Sequence, residues 1–246
     1  MIFKQIKTLT NDMIPKIIHY CWLSNDPIPK DLQKYMKTWK KKLPDYEFML
    51  WNFNRFDINS SIWVKQAFEA KKYAFACDYI RLYAVYHYGG IYMDMDVEVV
   101  KSFNDILHKD YLLGYETEEA LEAGIFGASP KAEWVKDALD YYQDREFINP
   151  DSSINNKPLP QILYSILNKK YIQTQILQPF PNEYLTANSY STRKVTKTSK
   201  TYTIHHFAGS WFSFKDKLIE RLSKIIGESG IQILVKIKQT ILNRLK

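Results

Sequence analysis

Two aspartates separated by a single residue are the sharpest chemical feature of the sequence. Asp94 and Asp96 follow an apolar run, and in a strand residues i and i+2 point to the same side. Two carboxylates held side by side repel each other unless a cation lies between them or one is protonated. Oxygen ligands suit a hard divalent ion such as Mg²⁺ or Mn²⁺. The pair is therefore a candidate metal site, and the alternative is an exposed strand end with two solvated acids.

A second pair of charges lies upstream, in the otherwise mostly apolar segment 74–88. Asp78 and Arg81 are three residues apart, so they share one face of a helix. A helix this apolar is expected to be buried, and buried ion pairs stabilise a fold poorly because desolvation offsets their attraction. The pair therefore suggests a functional role, with a partly buried intrahelical ion pair as the alternative.

The elements that must position these residues indicate an α/β fold. A strand over 17–23, a helix over 29–43 and a strand over 46–51 have the rhythm of a βαβ unit with a parallel sheet. A long segment over 61–88 has few helix breakers, and the apolar helix over 74–88 within it ends at a double glycine, after which the acidic strand 91–100 follows. The remaining pattern predicts strands at 111–115, 124–128, 176–180 and 202–207 and helices at 131–142 and 159–167.

Composition excludes several classes of protein. The chain has 246 residues with 46% hydrophobic and 15% aromatic residues, enough for a core and too many for a disordered chain. No apolar run approaches the ~20 residues of a membrane-spanning helix. Cys21 and Cys77 form no disulfide framework or metal-ligand spacing, so two reduced thiols are expected.

The positive charge is concentrated at the C-terminus. Residues 215–246 carry eight basic and three acidic residues, leaving only +2 of the net +7 for residues 1–214. A basic nucleic-acid surface on the core is therefore not expected. Apolar residues in the tail recur at helical spacing, which predicts two basic amphipathic helices. Such helices suit an anionic membrane surface, or they cover the core or a dimer partner. Two domains follow, 1–214 and 215–246.

The segment 74–96 strongly resembles the sugar-binding block of glycosyltransferase family 32. That block has the pattern S/A-D-x-x-R-x-x-x-L/V-x-x-x-G-G-I/V-Y-x-D-x-D. The opening residues 14–22 resemble the start of the family, and residues 204–211 resemble its end. The glucosylating clostridial toxins share a related block.

The resemblance implies a GT-A fold, which is Rossmann-like and binds nucleotide sugars, with a mainly parallel central sheet. It also implies sugar transfer with retention of configuration and a divalent cation, Mn²⁺ or Mg²⁺, on the diphosphate. Asp96 would bind the metal directly, and Asp94 would face the ribose, the donor sugar and the metal's water. Asp78 and Arg81 would hold the hydroxyls of the donor sugar.

Further site residues are implied at both ends of the match. Trp22 would stack on the nucleotide base, and the alternative is that it is a tryptophan of the core. Tyr20 would also be a donor-binding residue. One histidine of the pair His205 and His206 would complete the metal site, and His206 is preferred. Two residues in the final block would approach the diphosphate, Ser210 and Trp211.

The sequence thus predicts a metal-dependent retaining glycosyltransferase. It would move a hexose from a nucleotide sugar, with a UDP-sugar favoured, to a glycan or lipid-linked saccharide in surface polysaccharide synthesis. The absence of a spanning segment favours a cytoplasmic protein at the inner face of a bacterial membrane. Glu116 and residues 124–129 are expected to border the acceptor cleft. The alternatives are a metal-dependent phosphohydrolase, which would want a hydroxyl where Glu98 stands, and an inactive sugar-nucleotide-binding or membrane scaffold protein.

Overall fold

The computed structural model describes residues 13–190 and 192–208. The chain divides into two units after Phe207, and every described residue except Ala208 lies in the first unit. The tail predicted at 215–246 and the predicted site residues Ser210 and Trp211 lie outside the described residues.

The described residues form nine strands and six α-helices. The strands are β1 Ile17–Cys21, β2 Glu47–Trp51, β3 Gly90–Met93, β4 Val97–Val99, β5 Tyr111–Leu112, β6 Tyr115–Thr117, β7 Ala120–Leu121, β8 Ile125–Ala128 and β9 Thr203–His205. The helices are α1 Lys30–Lys42, α2 Ile62–Glu69, α3 Tyr73–Tyr88, α4 Glu133–Asp140, α5 Leu159–Leu167 and α6 Asn182–Leu185. None of these helices is long and apolar enough to cross a membrane.

A five-stranded sheet with the order β2-β1-β3-β8-β5 forms the centre. β1 runs parallel to β2 and β3, whereas β8 is antiparallel to β3 and β5. The α/β class is confirmed, but the prediction of a mainly parallel sheet is wrong for this part of the chain. Parallel neighbours need helical crossovers, which α1 and the α2–α3 pair supply. No α-helix lies between β3 and β8, and the chain returns antiparallel.

The acidic segment is a turn between two strands. The predicted strand 91–100 divides into β3 and β4, and the Val97 N–H donates to the Asp94 carbonyl over 3.0 Å between them. β4 leaves the central sheet and pairs with β9. The segment 61–88 forms two helices, α2 and α3, separated at Lys71, whose φ of +56° a helix does not allow; α3 contains the predicted helix 74–88. Residues 176–180 form no strand.

The double glycine lets α3 turn directly into β3. Gly89 and Gly90 have φ values of +64° and +94°, and a Cβ on Gly90 would lie 2.7 Å from the Ile17 carbonyl oxygen. Side chains larger than glycine are strained in this backbone region. The close approach holds β3 against β1 and fixes where the following aspartates emerge.

His19 in β1 connects three elements at the same level. Its Nε2 lies 2.7 Å from the Gly89 carbonyl oxygen, and the Trp51 indole N–H donates to its Nδ1 over 3.1 Å. Because Nδ1 accepts, Nε2 carries the proton that is donated to Gly89. The fully buried ring therefore requires the neutral tautomer, and burial lowers the pKa of His19 to about 4.

Candidate metal and sugar-binding site

Two carboxylates and an imidazole meet at one point of the fold. Asp94, Asp96 and His205 each offer a ligand atom, and these atoms all lie within 4.8 Å of one another. The aspartates occupy the turn after β3, and His205 ends β9, which pairs with β4 in the register Val97↔His205. Because β9 pairs with β4, His205 lies beside the two aspartates although it is distant from them in the sequence.

The preference for His206 as the third member is wrong. His205 Nε2 lies 3.5 Å from Asp96 Oδ1, whereas His206 Nε2 lies 2.9 Å from Glu98 Oε2 and its ring stacks on Tyr35 at 4.3 Å. The reasoning that only one of two adjacent residues can face the site is sound. The choice depended on the register of β9 against β4, which the sequence does not contain.

A buried glutamate holds the imidazole in place. His205 Nδ1 donates to Glu122 Oε1 over 3.1 Å, and Thr186 Oγ1 donates to Glu122 Oε2 over 2.6 Å. Burial opposes the charged imidazolium, but the charges of Glu122 and Asp96 outweigh it and raise the pKa of His205 well above its usual value. A carboxylate on the far nitrogen is the usual partner of a metal-binding histidine.

Sequence reasoning missed Glu122. It is separated from His205 by 83 residues, and only the fold brings them together. One signal was present, because Glu122 is an acid in the apolar stretch 120–125, as Asp78 is in its own helix. Gly124 allows the approach, since a Cβ there would lie 2.5 Å from His205 Cε1.

Arg81 joins the helix α3 to the acidic turn. Its Nη1 donates to the Ala123 carbonyl over 2.7 Å and lies 3.4 Å from Asp94 Oδ2. Its Nη2 lies 3.4 Å from Asp78 Oδ1, and the guanidinium stands 4.7 Å from the centre of the Tyr92 ring. The structure thus brings the Asp78–Arg81 pair of α3 together with Asp94 of the acidic turn, which the sequence placed on a separate element.

The acids of this cluster resist ionisation. Burial raises the pKa of Asp78 to about 6, although Arg81 opposes the shift. Burial also raises the pKa of Asp94, with the charge of Asp96 adding to it and Arg81 opposing it. A cation between the carboxylates would remove this penalty, and carboxylate with imidazole is a donor set suited to Mn²⁺. The residues present therefore fit a divalent ion.

A cavity of about 460 Å³, called here the site cavity, opens beside these residues. Its lining includes Asp78, Arg81, Asp94, His205 and the predicted cleft residue Glu116. It can hold a ligand that presents hydroxyls to the Asp78–Arg81 pair and an anionic group to a bound cation.

Trp22, predicted to stack on the nucleotide base, and Tyr20, predicted among the donor-binding residues, lie outside the site cavity. Trp22 follows the carboxyl end of β1, and its Nε1 donates to the Asp26 carbonyl over 2.8 Å. Tyr20 packs edge-on against Trp39 at 5.7 Å. Neither lines the site cavity, but β1 and β3 are parallel neighbours, so Trp22 and Asp94 both follow carboxyl ends of adjacent strands. Ligands of α/β sheets bind at this edge.

Fold and site together define an α/β protein with a candidate metal centre at the ends of its parallel strands. Residues 29–113 match the family model described as the glycosyltransferase sugar-binding region containing a DXD motif. The DXD motif is Asp94-Met95-Asp96, and the matched region includes Asp78 and Arg81. The part of the chain that holds these four residues is thus similar to the DXD-containing region of glycosyltransferases.

Two curated yeast proteins are similar in sequence. The chain is 33% identical over 99 residues to inositol phosphoceramide mannosyltransferase 3 of Schizosaccharomyces pombe, covering 39% of this chain and 28% of that protein. It is 27% identical over 201 residues to mannosyl phosphorylinositol ceramide synthase SUR1 of Saccharomyces cerevisiae, covering 76% and 51%. The chain thus spans about half or less of the length of these relatives.

Solved glycosyltransferase structures are also similar, at low sequence identity. PaToxG glycosyltransferase matches with a TM-score of 0.49 and 18% identity over 67% of this chain and 74% of that one. Galactosyltransferase LgtC, solved with donor and acceptor sugar analogues, matches with a TM-score of 0.46 and 13% identity over 85% and 94%.

Proposed function

We propose that this chain is a metal-dependent glycosyltransferase of the GT-A type that moves a hexose from a nucleotide sugar to a hydroxyl of a lipid-linked or glycan acceptor. The observation that carries the proposal is the convergence of Asp94, Asp96 and His205 at 4.8 Å or less. The Asp78–Arg81 pair faces the same cavity.

Asp96, Asp94 and His205 would hold the metal, with Glu122 orienting the imidazole. A divalent ion there would neutralise charge that develops on the leaving diphosphate. Side chains of the protein supply the remaining charge at the site. The buried guanidinium of Arg81 presents fixed positive charge beside the site, which stabilises negative charge without reorganisation.

Asp78 and Arg81 would position the donor sugar. Both line the site cavity, and Arg81 is held by the Ala123 carbonyl, so its direction is fixed. A carboxyl beside a guanidinium offers a hydrogen-bond acceptor and several donors at one place. Sugar hydroxyls both donate and accept hydrogen bonds, so the pair can bind them. Trp22, just after β1, would stack on the nucleotide base, and Tyr20 in β1 would also contribute to donor binding.

Transfer would occur with retention of configuration. Bond cleavage builds negative charge on the phosphate, and that leaving phosphate would take the proton of the acceptor hydroxyl, so no covalent nucleophile is needed. As the sequence predicts, Ser210 and Trp211 would contribute to binding the diphosphate.

The donor sugar and the acceptor are proposed by analogy. The yeast relatives are named for mannosyl transfer to inositol phosphoceramide, which favours mannose as the hexose and a lipid with a hydroxylated head group as the acceptor. This differs from the surface-polysaccharide role proposed from the sequence, although a lipid-linked acceptor is common to both. The basic tail 215–246 would hold the enzyme at an anionic membrane surface, with the inner face of a bacterial membrane as the proposed location.

The proposal is tested by incubating the protein with UDP- and GDP-hexoses, with and without Mn²⁺, and following release of the nucleoside diphosphate. We expect release from one nucleotide class that stops when the metal is chelated. Release of inorganic phosphate from simple phosphomonoesters instead would favour the phosphohydrolase. Metal-dependent nucleotide binding without any release would favour the inactive binding protein.

A further inference from the structure

A second cavity, of about 400 Å³, shares a wall with the site cavity. Glu116, Thr117 and Tyr190 line both cavities. The site cavity extends from this wall to Asp94 and His205, whereas the second cavity extends towards Asn182, Asn188 and Thr196. A ligand in the second cavity would therefore lie next to a sugar held in the site cavity.

The wall of the second cavity contains an unsatisfied acceptor. Asn188 is only 4% exposed, and its Nδ2 donates to the carbonyl oxygen of His205 over 2.7 Å. Its Oδ1 has no hydrogen-bond partner in the part of the chain that the structure describes. Buried polar atoms are almost always paired, and Asn188 lines the second cavity, so this oxygen is an unused hydrogen-bond acceptor just behind the cavity wall.

The shared wall can both accept and donate. Burial, aided by the charge of Glu122, raises the pKa of Glu116 to about 7, so its carboxyl is partly protonated at neutral pH. The Thr117 hydroxyl, and that of Thr196 in the second cavity, can also play either role. Tyr190 adds an aromatic ring that is 53% exposed. Hydroxyl-rich rings have this mixed character, with donors and acceptors around an apolar face.

We propose that the second cavity is the acceptor subsite and that it takes a polyhydroxylated ring, a pyranose or a cyclitol, which carries the reacting hydroxyl. The inference rests on the proposed function, which it extends to the acceptor. The hydroxyl oxygen forms the new bond to the anomeric carbon of the donor. The bond from that carbon to the diphosphate oxygen breaks, and the hydroxyl proton passes to the departing phosphate.

Two pairs of variants test the subsite. Thr196→Trp fills the second cavity, and Val195→Trp is its control because Val195 is exposed and does not line that cavity. Glu116→Gln removes the carboxyl of the shared wall, and Glu118→Gln is its control in the same hairpin, at an exposed residue outside both cavities. The probes are methyl α-mannopyranoside and myo-inositol. Their binding is measured by saturation-transfer NMR in the presence of Mn²⁺ and a nucleoside diphosphate. The two probes distinguish a sugar from a cyclitol.

We expect saturation transfer to at least one probe in the unaltered protein. Thr196→Trp should weaken that binding by at least about tenfold, and Glu116→Gln severalfold, while both controls bind as the unaltered protein does. Binding that survives Thr196→Trp and Glu116→Gln would overturn the inference, as would no binding of either probe to protein that still binds nucleotide with Mn²⁺. Absence of metal-dependent nucleotide binding would instead overturn the proposed function.

Discussion

At the scale of single residues, the site depends on which atoms face the two aspartates. The types and spacing of Asp78, Arg81, Asp94 and Asp96 were sufficient to select them from the sequence. Charged side chains in apolar segments are costly to bury, so their presence there indicates a function. Choosing between His205 and His206 was not possible on the same grounds. Adjacent residues of a strand differ only in the face they occupy, and the pairing partner sets that face.

The two histidines provide a matched pair of variants. We expect His205→Ala to lower Mn²⁺ affinity by about ten- to a hundredfold, because it removes the nitrogen ligand, which gives up its proton when the metal binds, from a three-residue group. His206→Ala should leave the affinity within about twofold, because its ring faces Glu98 and Tyr35. Calorimetric titration with Mn²⁺ measures both. A larger loss in His206→Ala than in His205→Ala would contradict the assignment.

Glu122 is expected to act through His205. Glu122→Gln keeps the shape of the side chain but removes the charge that orients the imidazole, so Mn²⁺ affinity should fall by about tenfold or more. Electron paramagnetic resonance of bound Mn²⁺ follows the affinity directly, and Glu119→Gln, at an exposed position in the same segment, is the control. Equal affinity in the two variants would show that Glu122 has only a structural role.

At the scale of elements, the sequence patterns predicted β1, α1 and β2. They did not predict the antiparallel direction of β8 or the pairing of β4 with β9. The segment β1–α1–β2 has hydrophobic periodicity and turn residues that act locally, so its prediction agrees with the structure within two residues at each end. The antiparallel β8 and the short β4–β9 pair depend on contacts between distant segments. The division of the predicted strand 91–100 has the same origin, because β4 pairs with β9, which lies far away in the sequence.

His19, which connects β1, β2 and β3, makes the stability of the fold depend on pH. Its pKa is lowered to about 4 by burial, whereas an exposed histidine has about 6.5. Between these values the unfolded chain binds more protons, so the free energy of unfolding falls as the pH falls. The loss is on the order of 3 kcal/mol at pH 4.

Denaturant unfolding between pH 6.5 and 4.5 measures this effect. His19→Gln should be less stable at neutral pH but should lose less stability on acidification than the unaltered protein. The exposed His108 provides the control, His108→Gln, which should keep the original pH dependence. An unchanged slope in His19→Gln would mean that other groups cause the acid sensitivity.

At the scale of the whole molecule, charge divides the chain more sharply than hydrophobicity does. Residues 1–214 carry a net charge of +2 and residues 215–246 carry +5. The chemistry described here belongs to the first of these segments, and the proposed attachment to a membrane belongs to the second. Each can therefore be altered while the other is measured.

Removal of residues 215–246 should abolish binding to vesicles that contain anionic lipid, because the loss of eight basic residues removes most of the electrostatic attraction. Co-sedimentation with anionic and with neutral vesicles measures the difference, and nucleotide release by the shortened chain shows whether the site is intact. Undiminished sedimentation with anionic vesicles would contradict the proposed role of the tail. Unfolding of the shortened chain would show that the tail covers the core.

The central claim is that the acidic turn binds a metal and a nucleotide diphosphate together. Calorimetric titration with UDP and GDP, with and without Mn²⁺, tests it most directly in the unaltered protein and in Asp96→Asn. We expect binding of one nucleotide only when Mn²⁺ is present, and a loss of at least about tenfold in Asp96→Asn, with the melting temperature showing that the variant is folded. Binding that is independent of the metal, or equal in the two proteins, would contradict the account.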